Sequence, residues 1–411
     1  IFHGVGRDGL EFECTGDPAL DSAHLAFMGP GTTGSGGTYW WGNTVRLPLS
    51  EMLWLQGEAS QSCTAAQYQA LVKQVVDSLT ALELNVVLDL QWTDAGGKAG
   101  APGAGFDMAD ADSVTFWTQV AGVYKGYSNV LFELYNEPHP STWACWQGPC
   151  SISDSDTTPG QTYNYQGVGI QALVNAVRNA GATNVAIIGG MNWGYDLSQI
   201  GTFPVTDSAN NLAYDTHPYD YSNKQPASWN AAFGFLTSTR PVVSLENGEY
   251  DCGTSYMSSL LSYFDTHQMS WLGWAWYSSG SACGYPQLIT DYQGTPAMSM
   301  GTLLYKQLLS YTGQGGPVNT TWYFAEGRAG GGFKEWLSLE NPNRTTCAVT
   351  IQYLAQPDGL ANFSRSVSVN VPATSRMTEW VDGDLGTSTG GPGISDAAIV
   401  SVNTALTPSC P

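Results

Sequence analysis

Apolar runs alternate with amphipathic stretches along the first three quarters of the chain. The run Val86-Val87-Leu88 is typical of a strand that is buried on both faces of a parallel sheet. Leu71, Val75 and Leu79 recur at the i, i+4 spacing of a helix that covers such a sheet. The predicted strands are Ile1–Val5, Thr44–Leu49, Asn85–Gln91, Asn129–Tyr135, Asn184–Gly189, Leu212–Thr216, Pro241–Leu245 and Met269–Trp276. The predicted helices lie at about 64–82, 110–127, 163–180, 226–239, 254–267 and 297–311, with a short or irregular segment near 195–201.

This alternation predicts an α/β fold in which residues 1–312 form a (β/α)8 TIM barrel. A doubly wound open sheet is the alternative. It would be favoured by a glycine fingerprint after an early strand, and no such fingerprint follows one in this sequence.

The alternation of strand-like and helical patterns ends near residue 313. Residues 313–318 are rich in glycine and are predicted to be a linker. Residues 319–411 contain short strand-like runs and no convincing helix, which predicts a small β-sandwich-like accessory module. The chain stops soon after Cys410, so a truncated module is one interpretation, and the opening on Ile1 rather than Met suggests a mature or truncated fragment.

The ends of the predicted strands carry a distinctive set of side chains. In a TIM barrel the active site is built where the strands end and the following loops begin. The polar and aromatic residues at these positions are Arg46, Gln91, Asn136, Glu137, His217, Tyr219, Glu246, Trp274 and Trp276. Two carboxylates on one rim of the barrel, among hydrogen-bond donors and aromatic rings, are the side chains expected for cleavage of a glycosidic bond.

The chemistry explains why two carboxyl groups are needed. One must protonate the leaving oxygen, and the other must attack the anomeric carbon or activate water. The first needs a raised pKa, whereas the second must stay ionised with the help of nearby hydrogen-bond donors. Glu137 comes just after the fourth predicted strand and Glu246 just after the seventh, so their side chains can face each other across the barrel mouth.

The strand-end motifs resemble those of glycoside hydrolase family 5, a family of retaining cellulase-type barrels. The resemblance rests on Leu131–Pro138, Asn43–Pro48, His217–Tyr219, Glu246–Gly248 and Trp274–Tyr277, and it covers about residues 1–311. It implies Glu137 as the acid/base and Glu246 as the nucleophile.

The resemblance also implies supporting roles. Asn136 would contact the 2-hydroxyl of the sugar, Arg46 and Tyr219 would hold the nucleophile, and His217 would support the acid/base. Trp276 is expected to be the stacking platform, with Trp274 as the alternative, and Trp40 and Trp41 are candidates for the cleft lining. Gln91 departs from the family, which commonly places a His at the end of the third strand.

Composition limits the partners and the compartment. The formal net charge of −21 disfavours nucleic acid, anionic membranes and polyanionic glycans, and is compatible with a neutral polymer. No apolar run is long enough to span a membrane. The order of the eight cysteines suggests the pairs Cys14–Cys63, Cys145–Cys150, Cys252–Cys283 and Cys347–Cys410, and such disulfides would indicate secretion. We expect a monomer with no cofactor and no metal, and the aspartates at positions 94, 107, 110 and 112 are interpreted as solvated loop acids.

The sequence therefore predicts a secreted, retaining, endo-acting β-1,4-glucanase that acts on a neutral β-glycan. A β-mannanase or another β-glycanase of the same family is the near alternative. A catalytically weak polysaccharide-binding barrel is the alternative from another class, and it rests mainly on Gln91.

Overall fold

The computed structural model describes residues 1–15, 17–31, 36–278, 287–311, 321–341, 345–387 and 393–402. Contacts divide the chain into two compact units, residues 1–308 and 309–411. The predicted linker at 313–318 lies outside the described residues.

The first unit is a closed barrel of eight parallel strands. They are β1 His3–Gly6, β2 Thr44–Ser50, β3 Asn85–Trp92, β4 Val130–Glu133, β5 Ala186–Gly189, β6 Leu212–Asp215, β7 Val242–Ser244 and β8 Ser270–Gly273. Each strand pairs with the next in the chain, and β1 pairs with β8 to close the ring, with Gly4 opposite Leu272. The predicted TIM barrel is confirmed, and the open sheet is excluded because the ring has no edge.

Helices cover the outside of this barrel. They are α1 Ser22–Leu25, α2 Glu51–Leu55, α3 Ala65–Ala81, α4 Ala111–Tyr124, α5 Trp143–Gln147, α6 Ile170–Asn179, α7 Pro226–Ala232, α8 Ser255–His267 and α9 Met300–Tyr311. Thr64 and Gln67 begin α3 with a reciprocal capping box. Val72, Val76 and Leu79 lie on the buried face of that helix. None of the helices in the described part of the chain has the length and apolar character needed to cross a membrane.

One predicted helix begins later than expected. The segment 163–180 was expected to be helical throughout, but Tyr163–Gly167 is a strand that pairs antiparallel with Cys150–Asp154. Tyr163 and Tyr165 both pack edge-on against Phe106, and this tertiary contact favours the extended form. The helix starts at Ile170, after Gly169 with a φ of 72°.

Two predicted disulfides are confirmed, Cys14–Cys63 and Cys145–Cys150. Cys252 and Cys347 are also disulfide-bonded. Their predicted partners, Cys283 and Cys410, lie outside the described residues.

The second unit is mainly β structure. Its strands are β9 Thr321–Ala329, β10 Trp336–Asn341, β11 Cys347–Pro357, β12 Phe363–Val371, β13 Ser375–Trp380 and β14 Ile394–Val402. They form an antiparallel sheet of order β9-β14-β11-β12 and a two-stranded sheet of β10 and β13. Leu339, Ile351 and Val371 belong to one core that both sheets share, which gives the expected sandwich-like architecture. The sequence did not predict β13 or the short helix α10, Val381–Leu385, that follows it.

Candidate active site

Alternation along the barrel strands directs a layer of charged side chains to the barrel axis. An apolar cluster fills the barrel interior and is formed by Val87, Leu131, Ile187, Ala213, Val243, Leu245 and Leu272. Side chains two positions further along a strand lie on the same face. Asp89, Glu133 and Asp215 therefore follow Val87, Leu131 and Ala213 toward the carboxyl ends, and all three carboxylates are fully buried.

Arg46, at the centre of this layer, joins the carboxylates into one network. Its fully buried guanidinium donates to Glu133 through Nε and Nη2, at 2.5 and 2.9 Å. Nη1 donates to Glu246 Oε1 at 2.6 Å, and Nη2 donates to Asn136 Oδ1 at 2.8 Å and lies 2.9 Å from Asp89 Oδ2. The predicted contact between Arg46 and Glu246 is present, whereas Glu133 and Asp89 were not predicted as part of the site.

A second set of contacts comes from the end of β6 and the loop after it. Tyr219 Oη donates to Glu246 Oε2 at 2.7 Å. His217 Nε2 lies 2.6 Å from Asp215 Oδ2, which fixes the proton on that nitrogen. His217 Nδ1 lies 3.1 Å from Glu137 Oε1. Tyr219 thus contacts one of the paired glutamates and His217 the other, as the resemblance implied.

The two glutamates lie close together. One carboxylate oxygen of Glu137, one of Glu246 and one nitrogen of His217 all lie within 4.8 Å of one another. Retaining glycosidases hold their two carboxyl groups about 5–5.5 Å apart, whereas inverting enzymes need about 6.5–9.5 Å to fit a water. The 4.8 Å limit on the nearest oxygens of Glu137 and Glu246 is shorter than the separation that an inverting pair needs.

Burial and charge set the protonation of these groups. Burial lowers the pKa of His217, but the charges of Asp215 and Glu246 outweigh it and raise the net pKa well above the ordinary value. Burial raises the pKa of Glu137, but the hydrogen bond and charge of His217 bring its net pKa below the ordinary value. Burial also raises the pKa of Glu246, against the charges of Arg46 and His217, and its net pKa is raised.

These directions differ from the simple expectation of an acid with a raised pKa beside an ionised nucleophile. The contacts resolve the difference. His217 Nδ1 and Glu137 Oε1 lie 3.1 Å apart, so a proton can pass between the imidazole, whose pKa is raised, and the carboxylate. Glu246 accepts hydrogen bonds from both Arg46 and Tyr219, which favour its ionised form.

A cavity of about 430 Å³ opens above the two glutamates. Besides Glu137, Glu246 and Tyr219, it is lined by residues that were not predicted from the sequence: Asn192, Trp193, Tyr221, Asn223, Lys224 and Tyr250. All of them come from the loops after β5, β6 and β7. These residues lie in loops, where hydrophobic periodicity gives no signal. Only the general rule that the loops after the strands build the active site of a barrel could have indicated them.

The prediction that Trp276 is the stacking platform is wrong. Its side chain is only 1% exposed and packs edge-on against Trp40, with ring centroids 5.1 Å apart. Trp40 is also buried and donates through Nε1 to the Gly294 carbonyl at 2.8 Å. Neither indole has a face open to a sugar ring, so both belong to the core.

Trp274 lies beside the site instead. The Arg46 guanidinium carbon is 5.5 Å from the centroid of its ring, and Tyr219 belongs to the same small apolar cluster. The ring also lies close to Gly6, where an added Cβ would approach Trp274 Cε3 to 2.6 Å. A stacking role for Trp274 stays a prediction, with its position at the site now known.

The remaining predicted residues lie outside this cavity lining. Gln91 follows Asp89 on the same face of β3, and its Oε1 is buried with no hydrogen-bond partner among the described residues. Trp41 is half-buried, in a left-handed backbone conformation with a φ of 59°. A role in substrate contact stays a prediction for both.

Among the described residues, two His/carboxylate groups with metal-ligand spacing overlap the site, and both use His217. Both ring nitrogens of His217 already face carboxylates, with Nε2 2.6 Å from Asp215 and Nδ1 3.1 Å from Glu137.

The family model for Cellulase (glycosyl hydrolase family 5) matches residues 38–280. This match covers more than half of the chain. The chain belongs to glycosyl hydrolase family 5. The resemblance read from the strand-end motifs is therefore confirmed.

Individual relatives of this family 5 chain are distant. A mannan endo-1,4-β-mannosidase from Cellvibrio japonicus is 22% identical over 276 residues, which cover 64% of this chain and 55% of the relative. A manganese dependent endoglucanase from Phanerodontia chrysosporium is 28% identical over 200 residues, which cover 43% and 42%. The chain thus spans about half the length of these relatives.

Solved structures share the fold. A β-glucanase from Saccharophagus degradans in complex with cellotetraose superimposes with a TM-score of 0.55 at 19% identity, over 75% of this chain and 88% of that chain.

Proposed function

We propose that this chain is a retaining endo-β-1,4-glucanase with Glu246 as nucleophile and Glu137 as acid/base. The observation that carries the proposal is the spacing of the two carboxylates within 4.8 Å, beneath an open cavity. Donation from Arg46 and Tyr219 to Glu246 supports its assignment as the ionised partner.

The first step forms a covalent glycosyl-enzyme. Glu246 attacks the anomeric carbon while Glu137 protonates the oxygen that leaves with the rest of the chain. The proton comes from His217 Nδ1, which lies 3.1 Å from Glu137, and Asp215 keeps the imidazole oriented. In the second step Glu137 removes a proton from water, and the resulting attack on the anomeric carbon releases Glu246.

A neutral β-glycan is the proposed substrate. The net charge of −21 disfavours anionic polymers, and exposed aromatic side chains such as Trp193 and Tyr221 stand at the cavity rim. The curated relatives include both an endoglucanase and a β-mannosidase, so a β-mannanase is the second candidate. The confirmed disulfides support secretion, and we propose that the second unit is an accessory module.

Initial rates of reducing-sugar release on carboxymethylcellulose, mixed-linkage glucan, mannan and xylan test the proposal. We expect the highest rate on the glucans. Glu246→Gln and Glu137→Gln should each lower turnover by a factor on the order of 10³ or more. Undiminished activity in either variant would contradict the assignment, and a folded parent that binds glucan without cleaving it would indicate the silent binding barrel.

Proton NMR of the first product tests the stereochemistry separately. A retaining enzyme releases the β-anomer before mutarotation. Early appearance of the α-anomer would exclude the two-step route.

A further inference from the structure

Three carboxylates outside the catalytic network lie together at the barrel rim. Glu51 is the first residue of α2, Asp94 follows β3, and Asp110 is the N-cap of α4. One oxygen from each lies within 4.8 Å of the other two. Their exposed fractions are 0%, 1% and 0%, so the interpretation of Asp94 and Asp110 as solvated loop acids is wrong.

This cluster, which we call the rim triad, lacks a compensating cation. Among the residues that the structure describes, no salt bridge to Lys, Arg or His involves any of the three carboxylates. Buried charges in proteins are paired or coordinate metals. Three uncompensated carboxylates at this spacing therefore require either bound protons or a bound cation.

Donors in the loops around the rim triad form hydrogen bonds to most of its carboxylate oxygens, and one oxygen has no hydrogen-bond partner. The Asp94 amide and the Ser113 hydroxyl donate to the two oxygens of Glu51, at 3.0 and 2.6 Å. Gly96 N–H donates to Asp110 Oδ2 at 2.6 Å, and Gly97 N–H donates to Asp94 Oδ1 at 2.7 Å. Asp94 Oδ2 is buried with no hydrogen-bond partner in the described structure.

The Asp94 carboxyl group lies close to the other two acids, with one of its oxygens within 4.8 Å of an oxygen from each of them. Ionised carboxylates can only accept hydrogen bonds, so Asp94 and Asp110 cannot satisfy each other. Each carboxylate oxygen has two lone pairs, so an N–H donor leaves room for a metal. Gly96 and Gly97, whose N–H groups donate to Asp110 and Asp94, are exposed, so the triad lies next to solvent-accessible backbone.

The donor set selects the type of ion. An all-oxygen set of carboxylates without Cys or His suits hard cations such as Ca²⁺, and Ca²⁺ binds oxygens at about 2.3–2.6 Å. Two ligand atoms on opposite sides of such an ion are about 4.6–5.2 Å apart, so three oxygens within 4.8 Å of one another can bind one ion together. Mg²⁺ keeps several waters and is rarely held by an all-protein cage.

We propose that Glu51, Asp94 and Asp110 form a calcium site that fastens the loops after β2 and β3 to the start of α4. The site joins three segments that are distant in sequence, and one of them follows directly from the strand that carries Gln91. It is separate from the proposed catalytic glutamates and does not depend on the proposed activity.

Metal content and thermal unfolding of the full chain test the site. The protein is stripped with EDTA, then dialysed against buffer with Ca²⁺, Mg²⁺ or Mn²⁺ alone. We expect one Ca²⁺ per chain by elemental analysis and a rise in Tm of about 5 °C at saturating Ca²⁺. A chain that retains no Ca²⁺ and unfolds at one temperature with or without it, or that takes Mn²⁺ or Mg²⁺ but not Ca²⁺, overturns the assignment.

Asp94→Asn separates a bound metal from bound protons, because it removes one charge and keeps the shape. We expect it to abolish the Ca²⁺-dependent rise in Tm, while in EDTA its Tm equals or exceeds that of the parent because repulsion falls. Asp112→Asn is the matched control, since its carboxylate lies outside the triad, and it should keep the full rise. If Asp94→Asn fails to fold, Glu51→Gln replaces it. A Ca²⁺ response that survives in the triad variant places the ion elsewhere and overturns the proposal.

Discussion

Removal of a single hydroxyl from Tyr219 tests how the nucleophile is kept ionised. In the structure this phenol donates to Glu246 Oε2 at 2.7 Å, and both side chains are almost completely buried. A hydrogen bond to a charged group is worth about 1.5–3 kcal/mol, which corresponds to roughly 1–2 pKa units. Loss of a donor to an anion raises its pKa, and burial already raises the pKa of Glu246.

Tyr219→Phe should therefore shift the acidic limb of the kcat/KM profile upward by about 1–2 pH units. Activity near the acidic end should fall by about 10–100-fold and recover as the pH rises, because Glu246 ionises again. A role in positioning alone would give a loss that is independent of pH.

The assay is the initial rate on a soluble cello-oligosaccharide across the pH range in which the protein stays folded. Tyr68→Phe is the matched control, because its buried hydroxyl donates to the Leu10 carbonyl at 2.6 Å, away from the site. It should lower stability and leave the pH profile unchanged. If the acidic limb of kcat/KM has the same pKa in Tyr219→Phe as in the parent, the reasoning is refuted.

Three further changes test other parts of the molecule. Lys224→Met removes a buried cation whose charge lowers the pKa of Glu137, so the alkaline limb of kcat/KM should move upward by about half a unit to one unit. The difference from the parent should vanish above pH 8, where Lys224, with a pKa lowered by burial to about 8, has lost its proton; a downward shift would contradict this. Replacing Cys14 and Cys63 together by Ser opens a loop with a sequence separation of 49 and should lower the free energy of unfolding by about 2–4 kcal/mol in urea titrations, whereas an unchanged midpoint would mean that the cross-link is energetically silent. Trp193→Ala removes a half-exposed ring from the cavity rim and should raise KM for cello-oligosaccharides about 3–10-fold with little change in kcat, and an unchanged KM would remove Trp193 from the binding surface.

The sequence predicted the barrel well because its strands are strongly apolar and six of the eight carry a polar or aromatic motif near their carboxyl ends. The motifs also implied that Arg46 and Tyr219 contact Glu246 and that His217 contacts Glu137, and these contacts are present. The predicted start of α6 at residue 163 was wrong. Contacts of Tyr163 and Tyr165 with Phe106 favour a strand at Tyr163–Gly167 over the helix that the local pattern indicates.

The interior acids were missed although a signal was present. Asp89 and Asp215 each precede a predicted site residue by two positions, so period-two alternation places them on the same face of the strand. Trp40 and Trp276 show the opposite error. An aromatic residue near a strand end suits either the cleft or the core, and only the packing of Trp40 on Trp276 decides between them.

The contact between Gly6 and Trp274 joins the ends of the barrel unit. Gly6 ends β1, Trp274 follows β8, and these two strands form the last pair that closes the ring. A side chain at Gly6 would displace the indole that lies over Arg46. Trp274 is therefore held beside Arg46 only after the first and last strands have met. Turnover should consequently report ring closure during refolding, and a species with seven strands paired and β1 detached should be compact and inactive.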